Sequence, residues 1–298
     1  MEMTTEASNP DSVDLDRLDT LELVQLINAE DAKVAAAVGE AAISIAAAID
    51  VIAARLASGG RLIYVGAGTS GRLGVLDAAE CPPTFNADPG QVIGLIAGGP
   101  SALTHPVEGA EDSPELAIES LQAIDLSEKD AVVGIAASGR TPFVLAALDH
   151  ARSVGAAAIG FACNHGAAIE EHADIMITVV AGPEVLAGST RMKAGSATKM
   201  VLNMLTTGAM VRFGKTYGNL MVDLQANNAK LVTRTVRILQ KLSGLAAPDA
   251  EALLQSCNGE LKTAIVCNKL NLSPDAARAK LDEANGRLRL ALDEDTHE

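Results

Sequence analysis

The sequence predicts an α/β protein: a three-layer sandwich on a mainly parallel five-stranded sheet, followed by a small C-terminal helical bundle. Three observations carry this reading. Apolar runs at 61–66, 92–97, 130–137, 156–163 and 175–180 are continuous, not alternating, as in strands buried on both faces. Helical patterns near 70–79, 113–123, 143–154 and 190–213 separate them. After about residue 226 only helical patterns remain.

Residues 1–18 read as a loose polar tail. From Asp19 to Ala57 the spacing is helical. Asp19 and Glu22 stand in a capping-box arrangement, and Gly59-Gly60 form the stop. The sheet domain is expected over 19–235 and a helical domain over 236–298. From about 226 onward, helices are expected near 226–245, 248–256, 259–270 and 274–293, broken at Gly244, Pro248 and Ser273-Pro274.

Composition narrows the function. Hydrophobic residues make up 48% of 298 and aromatics only 2%, so a large core is available and it is aliphatic. The net charge of −15 argues against nucleic acid and against an anionic membrane surface as partners. Any anionic ligand must instead be held by local amides, hydroxyls and a few cations. The start lacks the basic and apolar regions of a signal peptide. Asp50 and Arg55 break the longest apolar stretch, 41–57, so a cytoplasmic protein is expected. Cys81, Cys163, Cys257 and Cys267 form no C-x-x-C pair, which speaks against zinc and for reduced, buried thiols.

Two turns are built to receive an anion. The first strand runs into Gly66-Ala-Gly68-Thr69-Ser70-Gly71, which matches neither the P-loop nor the dinucleotide pattern and reads as a hydroxyl-type phosphate cradle. The third runs into Ser138-Gly139-Arg140-Thr141-Pro142, with Pro142 suited to a first helical turn. Placed at the carboxyl ends of strands in one open sheet, the two would face a common crevice. A third anion-friendly stretch opens the long helix near 190. It carries Glu184, Gly188, Ser189, Thr190, Arg191 and Lys193, with Ser189 and Thr190 resembling its cap.

Carboxylates supply candidate acid–base chemistry. Glu80, before Cys81-Pro82-Pro83, is expected at a helix end; if buried there, burial and the macrodipole would favour its protonated form, and otherwise it is a solvated surface carboxylate. Glu108, Glu111 and Asp112 cluster after His105; as a solvated face they would do nothing, but paired with Glu80 one could serve as base. The stretch Tyr217 to Asn228 mixes polar residues into an apolar background, compatible with a subunit interface or a sugar contact.

In order along the chain, GAGTSGRLG, DAAECPPT, VEGAED, IAASGRTP and GSTRMKAGSATK resemble the N-acetylmuramic acid 6-phosphate etherase family. That family belongs to the sugar-isomerase (SIS) superfamily, flavodoxin-like in fold and related to glucokinase regulatory proteins. The resemblance spans about 15–293. It implies cleavage of the C3 D-lactyl ether of a phosphorylated amino sugar, N-acetylmuramate 6-phosphate, giving N-acetylglucosamine 6-phosphate and D-lactate without metal or organic cofactor. It implies Glu80 as the acid that protonates departing lactate and Glu111 as the base. Substrate contacts are expected at Gly66, Gly68, Thr69, Ser70, Ser138, Gly139, Thr141, Glu184, Ser189 and Lys193. A homodimer is implied as well. The rival readings are a sugar-phosphate isomerase, which would release no lactate, and a non-catalytic phosphosugar-sensing regulator, whose relatives carry two such modules in a longer chain.

Overall fold

A computed structural model describes residues 3–224 and 229–294, and the chain divides into two compact units. The first comprises residues 1–79 and 90–209, the second 80–89 and 210–298. The division therefore falls inside the long helix at 209/210, and the segment carrying Glu80 belongs with the helical unit.

In the first unit, α1 (Thr20–Asp31), α2 (Val34–Glu40) and α3 (Ala42–Ala57) occupy the single helical stretch expected over 19–57. The capping box is formed: the Glu22 amide donates to Asp19 at 2.9 Å, and the Asp19 amide to Glu22 at 3.0 Å. There follow β1 (Leu62–Gly66), α4 (Gly68–Phe85), β2 (Val92–Ile96), α5 (Pro114–Gln122), β3 (Ala131–Ile135), α6 (Pro142–Ser153), β4 (Ala157–Ala162), β5 (Ile175–Thr178) and α7 (Lys193–Arg212). The five strands are all parallel, in the order β2-β1-β3-β4-β5.

Strand alternation sorts the two faces. Ile63, Val65, Val132 and Ala136 share a core with Phe143, Val144, Ala147 and Leu148 of α6 and Ala117 and Leu121 of α5. Tyr64 points the other way, toward Gly74 of α4 and Leu202 of α7. Glycine lets α4 lie directly on the sheet, since a Cβ on Gly94 would come within 2.5 Å of the Val75 Cα.

Residues 4–17 are three short 3-10 turns rather than a loose tail. Thr5 and Asn9 are buried. The Thr5 amide donates to Asn164 at 3.1 Å, and Asn9 donates to the Pro183 carbonyl at 3.2 Å. Such long-range bonds from single polar residues leave no periodic trace in sequence.

The second unit holds a two-strand hairpin, β6 (Thr216–Tyr217) with β7 (Leu220–Met221), and then α8 (Ala229–Ser243), α9 (Ala247–Ser256), α10 (Leu261–Leu270), α11 (Pro274–Glu283) and α12 (Leu288–Ala291). Leu239, Ala250, Cys257, Leu261, Ala264, Val266, Ala277 and Leu288 form its core. The helix expected over 274–293 is broken by Asn285 and Gly286, both at positive φ. Within Tyr217–Asn228, Val222 and Leu224 enter this core, while Asn227 and Asn228 lie outside the described residues. Among the described residues no single helix is long and apolar enough to cross a membrane.

Candidate active site

The strand order reverses between β1 and β3, the place where open parallel sheets of this 2-1-3-4-5 type take their ligands. Both Gly- and hydroxyl-rich turns leave the sheet there. Gly66 pairs in register with Ile135, so the turn after β1 and the turn after β3 leave the sheet at the same level.

The first turn is tight because Gly66 and Gly71 touch. A Cβ on Gly71 would lie 2.6 Å from the Gly66 oxygen and 2.7 Å from Ile96. Gly68, with φ of +52, opens α4, and Thr69 and Ser70 follow half-buried in its first turn. The unpaired amides of that turn and the positive end of the helix dipole suit an anion.

In the second turn Gly139 has φ of +70, and a Cβ there would meet the Ala167 Cβ at 2.4 Å. The Arg140 amide donates to Ser138 at 3.4 Å. Thr141 occupies the N-cap position of α6, yet its hydroxyl makes no cap bond. Asn164, which sequence reasoning missed, is buried behind this turn and donates to the Ala137 carbonyl at 3.0 Å.

Glu111 sits in a short 3-10 turn, Ala110–Asp112, entered through Gly109 in the left-handed region. It is exposed, and with Glu108 it lines a cavity of about 240 Å³. Gly68 and Arg72 of α4 line the same cavity, so Glu108 and Glu111 come together with the turn after β1. Arg72 is oriented by donating its Nε–H to the Leu103 carbonyl at 3.1 Å.

Glu80 takes the exposed alternative, and α4 overruns its expected end. The helix does not stop before Cys81 but runs through Pro82 and Pro83 to Phe85, and Glu80 is exposed while Cys81 is buried. The two prolines remove the amides that would serve the Ala78 and Ala79 carbonyls. Glu80 is not among the residues lining the Glu111 cavity.

The third stretch differs in detail as well. The cap of α7 is Glu184, not Ser189 or Thr190. Its two carboxylate oxygens accept from the Lys193 and Ala194 amides, each at 2.9 Å, because a buried carboxylate can serve two orphan amides at once. Lys193 is 1% exposed and donates to Glu30 of α1 at 2.5 Å; Lys33 is the second cation on that carboxylate. Burial pushes Glu30 up, but the hydrogen bonds from Lys193 and Lys33 outweigh it and bring its pKa to about 2. Glu184 and Lys193 are thus engaged inside the protein, and Ser189 is half-buried in the loop before α7. Glu30 gave no signal in sequence, where it reads as one more charge on a polar helix.

Asp77 of α4 is a further buried carboxylate. It accepts from Tyr64 at 2.9 Å, Asn203 at 2.7 Å and Thr206 at 3.3 Å, tying α4 to α7. Burial outweighs these donors and pushes its pKa up. Among the described residues no group of three His, Cys, Asp or Glu could hold a metal ion.

The fold and this site define an SIS-domain protein. Residues 105–208 match the SIS domain, 44–152 the glucokinase regulatory protein N-terminal SIS domain, and 218–284 the C-terminal lid domain of glucokinase regulatory protein. The chain is 58% identical over 98% of its length, and 96% of the relative's, to an N-acetylmuramic acid 6-phosphate etherase of Rhodopirellula baltica. It is 54% identical to one of Streptomyces coelicolor, covering 97% of this chain and 93% of that one. Against one of Escherichia coli the identity is 53% over 98% of both. The chain belongs to the N-acetylmuramic acid 6-phosphate etherase family.

Proposed function

We propose that this enzyme cleaves the C3 D-lactyl ether of N-acetylmuramate 6-phosphate, giving N-acetylglucosamine 6-phosphate and D-lactate, and that it does so as a cytoplasmic homodimer. The observation that carries the reading is the cavity joining Glu111 to the start of α4 at the sheet's switch point, in a chain 58% identical to a named etherase. Near full-length relatives of that name favour the etherase over the isomerase and the regulator.

The chemistry is a carbon–oxygen lyase reaction followed by hydration. The open-chain aldehyde acidifies the C2 proton, and Glu111 removes it. The electron pair then expels lactate from C3, and Glu80 protonates the departing oxygen. Water adds across the resulting unsaturated aldehyde, restoring the C3 hydroxyl. The substrate's own aldehyde is the electron sink, so no metal or cofactor enters a step. Positioned acid–base groups contribute about 10²–10⁴-fold each. Phosphate and sugar lie against Gly66, Gly68, Thr69 and Ser70 of the first turn, Ser138, Gly139 and Thr141 of the second, and Ser189. Glu184 and Lys193 serve by ordering the start of α7.

The test is D-lactate release from N-acetylmuramate 6-phosphate by purified protein in EDTA. Stoichiometric lactate with N-acetylglucosamine 6-phosphate is expected. Absence of lactate with substrate bound would refute the activity, and loss of turnover in EDTA would refute the metal-independent route. A solution mass of one chain would refute the homodimer.

A further inference from the structure

We infer that Asp223 is a positioning residue for Glu80, holding the last turns of α4 through a half-buried ionic node in the helical unit. The inference rests on the reading of Glu80 as the acid.

Glu80 stands six residues before Asn86, which closes α4 with φ of +50 and donates its amide to the Pro82 carbonyl at 3.0 Å. The Asn86 side chain donates to one oxygen of Asp223 at 3.3 Å. Lys262 at 2.8 Å and Lys215 at 3.1 Å hold the other. Lys215 also donates to the Asn86 carbonyl at 3.2 Å, so both ends of Asn86 are grasped. Lys262 is fixed in turn by the Gly214 and Gly286 carbonyls, at 3.0 and 2.8 Å.

The node is half-buried: Asp223, Lys262 and Lys215 side chains are 21%, 13% and 16% exposed, and Asn86, Asp223 and Lys262 line a cavity of about 710 Å³. Burial pushes Asp223 up, but attraction from Lys262 and Lys215 outweighs it and keeps the group ionised. One carboxylate therefore joins four segments: its own after β7, the start of α10, the stretch between α7 and β6, and the end of α4. The prolines at 82 and 83 make that end of α4 need an external hold, because they remove two of its own hydrogen bonds.

A misplaced acid has a distinct kinetic signature. Proton removal at C2 by Glu111 precedes lactate departure, so failure of the acid leaves the C2 proton exchanging with solvent while release slows. Misplacement of a reacting group by about 1 Å costs about 10²-fold.

The experiment follows both rates in D2O, comparing the parent with Asn86→Ala, Asp223→Asn and Glu80→Gln. Asn86→Ala leaves both ion pairs of Asp223 in place, so it remains informative if Asp223→Asn fails to fold. The expected result is about tenfold slower lactate release in Asn86→Ala, and more in Asp223→Asn, with KM unchanged and deuterium entering C2 of unreacted substrate as it does in Glu80→Gln. Release within twofold of the parent in folded Asn86→Ala and Asp223→Asn overturns the inference. So does an equal fall of exchange and release, which marks a merely structural role. If the parent itself releases no lactate, it is the proposed activity that fails.

Discussion

Lys193 and Glu30, 163 residues apart in the chain, meet in a buried ion pair of 2.5 Å, with side chains 1% and 3% exposed. The pair ties α1 to the first turn of α7, which Glu184 caps from the loop before it. Removing Lys193 leaves Glu30 with the half-exposed Lys33 alone, at a cost of up to about 3–5 kcal/mol. Lys193→Met should therefore lower the urea midpoint at neutral pH by that equivalent, and Lys193→Met with Glu30→Leu should recover part of it. A raised KM with unchanged stability would instead make Lys193 a substrate contact.

The same carboxylate sets an acid limit. Glu30 has a pKa of about 2 in the fold against 4.5 for the free group. Between those values the unfolded chain binds the extra proton, so the stability that Glu30 contributes above pH 4.5 drains away as pH falls toward 2. Thermal unfolding of Glu30→Gln should show a flatter pH dependence in this window than the parent. Parallel curves would disprove the assignment.

Glu80 and Glu111 should be needed for turnover and not for folding, since both are exposed. Each Glu→Gln variant is expected to keep its unfolding midpoint within a few degrees and to lose about 10²–10⁴-fold in rate. Wild-type activity in either variant excludes that residue as acid or base.

Gly139 has no room for a side chain. Its φ of +70 and the 2.4 Å approach to Ala167 predict that Gly139→Ala shifts the Ser138–Thr141 turn. Stability should fall by about 1–3 kcal/mol, and KM for the phosphosugar should rise. An unchanged midpoint in chemical denaturation contradicts the steric argument.

Cys163 should be inert. Burial, helped by the nearby Glu184 carboxylate, pushes its thiol pKa up to about 12, so almost no thiolate exists at pH 8. Mass spectrometry after brief alkylation at pH 8 should find Cys163 unlabelled in the native protein and labelled in urea. Rapid native labelling would show that the loop opens.

The strands of the sheet were legible because burial on both faces leaves a continuous apolar run. β1 was expected at 61–66 and forms at 62–66; β4 was expected at 156–163 and forms at 157–162. The tight turns after β1 and β3 were legible because close backbone approach and positive φ demand Gly at Gly66, Gly71 and Gly139. α4 ran past its expected end because proline marks a helix stop only on average, and here the helix continues to Phe85. The interrupted helix at 285–286 was missed for the opposite reason: asparagine and glycine inside a polar helical pattern look tolerable until the backbone is seen at positive φ.

Local order thus needed only the chain itself: strand and helix alternation, the Asp19–Glu22 cap and the Gly-rich turns each depend on neighbours within a few residues. Tertiary structure alone decided the partners of isolated charges. Glu30 with Lys193, Asp77 with Tyr64 and Asn203, and Asp223 with Lys215, Lys262 and Asn86 are separated by 13 to 163 residues or lie on different elements. A charge on a helix has the same local propensity whether it faces water or a buried counter-ion. Only packing, which removes the water and brings the partner within about 3 Å, distinguishes the two.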